Sequence, residues 1–416
     1  MSIPEVFFRE TIDLNRFSNA VAKKYAVTYN EVILNAAKRL REIDFRQRRA
    51  GEAVIIAPET RKRLRAIIKQ AKDSLNTWSG ATARDFKKEL QGITLLQRDF
   101  IVNELKKVTA SGDVPINSVA VSPKYAESVI MTDPTQINIF TTQQFKEDAF
   151  KRFGAGKFEL TATQGSAITL PNGETVNKAF RGIAASSQEK LALAIRSGVF
   201  SGETSQQIAR RLVGQLNFAD FGPLSVKQLA ASGGELTKLA NHQIQTIVRT
   251  SVNQVQNQAS QAVYAANSKV APKYEYVATL DSKTTPICQR LDGQQFEYNK
   301  GPTPPQHFNC RSTTVPVVDF DGLQEKYPGL EKPPETALDT RPSMTGRVPQ
   351  GQAYGDWLLD QKKEIQIKTL GNEQRVRFFK TLAGKKGSSG QKALRQIIRS
   401  DGTEKTLDQI KKEYKL

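Results

Sequence analysis

The chain is poor in the residues that usually build reactive sites. Among 416 residues there are two cysteines, two histidines, two tryptophans and three methionines. Two cysteines cannot make a disulfide framework, so a stapled secreted scaffold is excluded and reduced thiols are expected. No run of about 18 apolar residues occurs, so no membrane-spanning helix is expected. The first residues, MSIPEVFFRETIDLNRF, lack a basic segment followed by an apolar one. No secretory signal is therefore expected, and with so few cysteines cytosolic synthesis in the reduced state is the expectation. Walker and dinucleotide glycine loops are missing, as is the H-x-E with P-C-x-x-C pattern of zinc deaminases.

Negative charge is the other shortage. Against 61 Lys and Arg stand 42 Asp and Glu, leaving a net charge of +19. An excess of this size favours polyanionic partners, through counterion release at phosphates and long-range steering. The basic stretches carry no interleaved aromatics, which argues against a single-strand stacking platform. Non-specific double-stranded DNA is the partner this charge suits, with acidic proteins as the alternative.

What is present is mostly helical periodicity. The length predicts two or three units. Residues 1–110 read as a helical N-terminal region. Apolar positions recur at helical spacing from Phe17 to Leu40, and basic residues including Lys38, Arg39 and Arg41 gather at the end. A second helix opens at Pro58-Glu59-Thr60 and carries Arg61, Lys62, Arg63 and Arg65 on its polar side; a third is expected from about Ala83 to Val108. Residues 111–175 read as a connector, with a short helix over FTTQQFKEDAFKRF and a hairpin around Pro171-Asn172-Gly173. Val176–Phe200 returns to helix, and Gly202-Glu203-Thr204-Ser205 breaks it and caps the next. The longest pattern, Leu236 to Asn267, has an apolar stripe and a face rich in Gln and Asn. That face suits either solvent or packing against a second subunit or a small domain.

Residues 276–316 concentrate the rare side chains: both cysteines and one of the two histidines. KYEYVATL reads as a strand. TPICQRL and QQFEY read as two strands joined by a tight turn at Asp292-Gly293, and STTVPVV as a closing strand. Cys288, His307 and Cys310 are a possible zinc set, with the histidine and second cysteine three apart. A fourth ligand would have to be Asp281, His242 or solvent. The competing reading is a structural knuckle, in which small buried cysteines and a hydrogen-bonded histidine do no chemistry. A cysteine nucleophile helped by His307 and Asn309, with or without zinc, is the enzymatic alternative. Residues 321–353 read as a Pro/Gly-rich linker. Residues 354–416 read as basic helices, with Lys385 and Lys386 in a glycine loop and Arg395 and Arg399 beyond. The fold class expected is predominantly helical α+β, with a small β-hairpin/knuckle module and a basic helical C-terminal tail.

Three spaced motifs carry a resemblance. They are Asp281-Ser282-Lys283-Thr284-Thr285-Pro286-Ile287-Cys288, then Leu291-Asp292-Gly293, then Pro305-Gln306-His307-Phe308-Asn309-Cys310-Arg311, with Arg249-Thr250 on the helix before them. This order resembles the phage Mu protein F-like family of head-morphogenesis (minor head) proteins, most densely over Asp281 to Arg311, within a head-morphogenesis region of residues 176–320. Two positions depart from it: Ser312 stands where relatives often have a further Cys, and Phe308 where a Pro usually follows the His. The resemblance implies a bacteriophage virion protein in few copies, made in the host cytoplasm. Its place would be the capsid interior near the portal, with the portal protein, major capsid protein and packaged DNA as partners. Its roles would be capsid assembly and genome retention or ejection. It implies no catalytic residue and no cofactor. Asp281, Cys288, Asp292, Gly293, His307, Asn309, Cys310 and Arg311 would then form a structural knuckle.

Overall fold

A computed structural model describes residues 3–43, 48–50, 53–121, 158–160, 175–214, 234–298, 300–333 and 340–415. Helices α1 (Ile3–Arg41) and α2 (Pro58–Val108) dominate the first part, with a β1–β2 ribbon (Arg48–Ala50, Ala53–Ile55) between them in sequence. The expected second and third helices are one continuous α2 of 51 residues, about 76 Å long at 1.5 Å per residue. Its buried positions explain the continuity. Leu64, Ile67, Ala71, Leu75, Trp78, Thr82, Phe86, Leu90, Ile93, Gln97, Ile101 and Leu105 follow one another at steps of three or four throughout.

Helices α3 (Val176–Phe200), α4 (Ser205–Val213) and α5 (Glu235–Ala266) complete the body. Helix α2 packs on α3 and α5, and α1 packs on α2, α4 and α5. Phe180 of α3 sits edge-on to three rings at once: Tyr25 at 6.1 Å, Trp78 at 6.0 Å and Phe86 at 6.0 Å between centroids. Such edge-to-face pairs add to area burial. The break before α4 forms as expected, with Thr204 and Gln207 closing a reciprocal capping box. Strands β3 (Val119–Val121) and β4 (Phe158–Leu160) pair in parallel. The short helix expected over 140–153 and the hairpin turn at 171–173 lie outside the described residues.

A three-stranded antiparallel sheet follows, with β5 (Lys273–Val277) between β6 (Gln295–Glu297) and β7 (Thr313–Val317). Here one expectation fails. TPICQRL is not a strand but helix α6 (Pro286–Leu291). Proline has no N–H for a ladder but suits the first turn of a helix, and Cys288 and Leu291 are buried three apart. Asp292-Gly293 is accordingly a helix-to-strand turn, with Gly293 at φ +71°.

The stretch read as a linker also carries structure: α7 (Phe320–Lys326) and an antiparallel hairpin of β8 (Thr340–Ser343) and β9 (Gly346–Pro349). Beyond it α8 (Tyr354–Leu359), α9 (Lys363–Leu370), α10 (Glu373–Ala383), α11 (Gly390–Ile397) and α12 (Leu407–Tyr414) form a second core around Trp357, Phe379 and Leu394. Helices α8 and α11 meet glycine to glycine: a Cβ on Gly390 would lie 2.2 Å from the Gly355 carbonyl oxygen. The whole is a predominantly helical α+β fold, as expected.

The Phe180 hub yields a direct check. Phe180→Ala removes a fully buried ring that bridges α1, α2 and α3 and is expected to cost about 3–5 kcal/mol in denaturant unfolding. A loss below about 1 kcal/mol would show that the three helices do not depend on it.

Candidate functional site

The long helix α5 sets the position of the knuckle. From Asn253 to Asn257 its Gln/Asn face is buried, against the small sheet and α1, rather than solvated. Asn253 donates to the Ser312 carbonyl at 2.9 Å, Gln261 to the Thr314 hydroxyl at 3.2 Å, and Tyr264 to the Thr314 carbonyl at 3.1 Å. Strand β7 is therefore docked by side chains, which is why the face is amide-rich: a buried strand beside a helix needs partners for its polar groups.

The loop after β6 turns back at His307-Phe308-Asn309-Cys310. The Cys310 N–H donates to the His307 carbonyl at 3.2 Å, and Asn309 takes φ +57°, a left-handed conformation that Asn tolerates better than most residues. Asn309 is held from below: its N–H donates to the Thr250 hydroxyl at 2.9 Å and its amide to the Thr246 hydroxyl at 3.1 Å. Thr250 of the Arg249-Thr250 pair thus anchors the turn, while Arg249 donates to Asn19 of α1 at 2.7 Å.

This turn brings together three residues that the sequence singled out. The Cys288 sulfur lies 3.3 Å from His307 Nε2 and 3.8 Å from the Cys310 sulfur. The three ligand atoms all lie within 4.8 Å of one another. His307 Nδ1 faces the Phe308 carbonyl oxygen at 2.8 Å, so the proton sits on Nδ1 and Nε2 is left for the sulfurs. The Tyr276 hydroxyl reaches the Cys288 sulfur at 3.2 Å. Burial pushes both thiols up. At Cys310 the hydrogen bonds from Cys288 and His307 outweigh burial and hold it well below the usual thiol range, while Cys288 stays high. Burial would lower His307, but the neighbouring Cys310 sulfur raises it.

Neither residue considered as a fourth ligand joins them. The Asp281 carboxylate is taken by Arg311 in a two-pronged pair, by the Lys283 N–H at 2.9 Å and by the Thr284 hydroxyl at 3.2 Å. Nor is a nucleophilic triad assembled. Asn309 is committed to Thr246 and Thr250 rather than to His307, and the Cys288 sulfur is buried with a raised pKa, the opposite of an activated thiol.

Asp292 belongs to a different network, which the sequence did not reveal. Its carboxylate is fully buried and accepts from Arg341 twice (3.0 and 3.1 Å), from the Ala278 N–H at 2.7 Å and from the Tyr354 N–H at 2.7 Å. Arg341 sits on β8, in the supposed linker, and also lies over the Phe8 ring of α1 at 5.2 Å. The only local signal for it was the Ser343-Met344-Thr345-Gly346 turn, which predicts a hairpin but not a buried cation.

Beside the knuckle a cleft of about 630 Å³ opens between α1, α5 and the His307 turn, edged by Arg16, Asn19, Arg249, Lys283, His307 and Arg311. Burial and the charge of Arg311 lower the Arg249 pKa, as expected where cations gather on one wall. The other basic candidates divide by environment. Arg61, Lys62, Arg63 and Arg65 are exposed in the first turns of α2, and Lys386 is exposed in its loop. Arg39 is exposed near the end of α1, with Lys38 and Arg41 half-buried beside it. Lys385 lies over the Tyr414 ring. Arg395 and Arg399 are spent inside the chain. Arg395 caps α6 by donating to the carbonyls of Arg290 (3.2 Å) and Asp292 (3.0 Å), and Arg399 donates to Gln409 and to the Glu404 carbonyl.

Residues 189–315 match the family described as phage Mu protein F like protein. The matched segment runs from within α3 through α5 to β7 and so contains the whole knuckle and its anchor. That segment, about a third of the chain, is similar to the family. No curated protein and no solved structure matches the chain. No helix among the described residues is long and apolar enough to cross a membrane.

Two outcomes follow from the two ion pairs. Arg341→Met leaves Asp292 buried and unpaired, and should cost about 3–5 kcal/mol in urea unfolding, with much of that recovered by adding Asp292→Asn. Equal losses in the single and double variants would contradict the pairing. For Asp281, burial opposes ionisation, but the Arg311 pair wins and the carboxyl is held below its usual value. Its contribution is therefore complete above the unfolded carboxyl pKa of about 3.9 and is lost as pH falls through the lower folded value. The stability gap between the native chain and Asp281→Asn should stay level from neutral pH to about 5 and close below about 4; a gap that does not change with pH would mean that the ionised pair contributes nothing.

Proposed function

We propose that the chain is a minor head protein of a bacteriophage, lodged on the capsid interior near the portal, that touches packaged duplex DNA without reading its sequence. The family match over residues 189–315 is the observation that carries this reading. The net charge of +19 supports the DNA part. So does the placement of Arg61, Lys62, Arg63 and Arg65. All four are exposed within five residues near the start of α2, where together they raise the local positive potential. Portal and major capsid proteins are the protein partners in this reading, with roles in capsid assembly and in genome retention or ejection. The knuckle acts as a structural unit that fixes β7 against α5 and not as a reaction centre.

Titration of the full chain with unrelated duplexes over a range of salt tests the DNA contact. Affinity should fall log-linearly with salt and be alike for all sequences. The combined replacement of Arg61, Lys62, Arg63 and Arg65 by Ala should flatten the slope by roughly 0.9 for each phosphate that is no longer neutralised. No salt-sensitive retention at low ionic strength would overturn DNA binding. Imaging of particles that lack density for the chain near the portal would overturn the location.

A further inference from the structure

We propose that Cys288, His307 and Cys310 bind a single zinc ion that staples helix α6 to the turn before β7. Such a site is independent of the head-protein reading and rests on the geometry of the three side chains. A tetrahedral zinc with Zn–S near 2.3 Å sets two sulfurs roughly 3.8 Å apart, and a sulfur and an imidazole nitrogen roughly 3.6 Å apart. The sulfurs here are 3.8 Å apart, and the Cys288 sulfur is 3.3 Å from Nε2. The donor set is one that zinc prefers, two thiolates and an imidazole.

The surroundings also fit a metal centre. His307 presents Nε2 because its Nδ1 is held by the Phe308 carbonyl, the outer hydrogen bond that metal-bound histidines use to fix their tautomer. The fully buried Tyr276 hydroxyl lies 3.2 Å from the Cys288 sulfur, placed to donate once that sulfur is a metal-bound thiolate, and the Gln306 main-chain N–H points to the Cys310 sulfur. Hydrogen bonds of this kind stabilise coordinated thiolates. The turn conformation is imposed from outside by Thr246 and Thr250, so the site is organised before any ion arrives. With no fourth Asp, Glu, His or Cys in the group among the described residues, a water molecule completes the tetrahedron.

The knuckle has a use for such a staple. The apolar cluster at its centre consists of Tyr276, Ala278, Cys288, Leu291 and Cys310, too few to hold a helix and a loop by burial alone. One ion joins positions 288, 307 and 310 across α6, β6 and the proline-stiffened loop.

The test uses the full chain, purified under reducing conditions without chelator. Elemental analysis should find one zinc per chain. Replacing it with cobalt should produce the visible d–d bands of a tetrahedral site together with thiolate-to-cobalt absorption in the near ultraviolet. Cys310→Ser and His307→Gln should each lose the ion, and His242→Gln should keep it. Tyr276→Phe, which leaves every ligand in place, should weaken zinc about tenfold or more in competition with a chromophoric chelator. The cobalt spectrum of the unmutated chain decides the matter even where a ligand variant fails to fold. No stoichiometric zinc and no thiolate–cobalt band would overturn the proposal, and so would an ion that persists in both ligand variants.

Discussion

The buried pair between Asp292 and Arg341 is the contact on which the rest of the arrangement depends. Asp292 ends α6 and so belongs to the knuckle. Arg341 belongs to the β8–β9 hairpin, and the Tyr354 N–H that completes the carboxylate's shell opens the C-terminal helices. Phe8 of α1 covers the guanidinium. Four parts of the chain therefore meet at one charge pair. Two ions taken out of water are costly unless every lone pair is used. The Asp292 carboxylate meets that condition with four donated hydrogen bonds.

Around it, the C-terminal helices join the knuckle through Leu280, which is buried in their apolar core, and through side-chain hydrogen bonds to helix-end carbonyls. Gln391 and Arg395 of α11 donate to the last carbonyls of α6, and Arg290 of α6 donates back to the carbonyls of Arg395 and Ile398. The open carbonyls at a helix end need partners, and here each helix supplies the other's. The close contact of Gly355 with Gly390 lets α11 come near enough for this exchange. Arg395 is thereby consumed in holding the fold, while exposed bases remain at the start of α2, in the loop at Lys386 and on the tail at Lys362, Arg377 and Lys411.

Helix α5 carries the same logic on the other side of the sheet. Its amides satisfy β7, its threonines seat the His307 turn, and its apolar stripe joins α1, α2 and α3. A polar helix face at the centre of a molecule is tolerable only when its groups find partners. The docking of β7 and the knuckle supplies partners for Asn253, Gln261 and Tyr264, and for Thr246 and Thr250.

The sequence by itself determined most of the long helices, the cap at Thr204 and the resemblance of the central segment to one family, because periodicity and local capping act within a few residues. It also singled out Cys288, His307, Cys310, Asp281 and Arg311, since rare residue types and ordered motifs survive in one dimension. It misread TPICQRL as a strand, where β-prone residues on either side outweighed the start signal of Pro286. It took residues 321–353 for a linker, because proline and glycine mark turns within hairpins as well as flexible chain. Only the tertiary structure decided that α5's amide face is internal, that Asp292 needs Arg341 from 49 residues away, and that Asp281 is closed to a metal by Arg311. Each of these is a pairing of buried polar groups from distant parts of the chain. Burial of that kind depends on which surfaces meet, and no local pattern of residues records it.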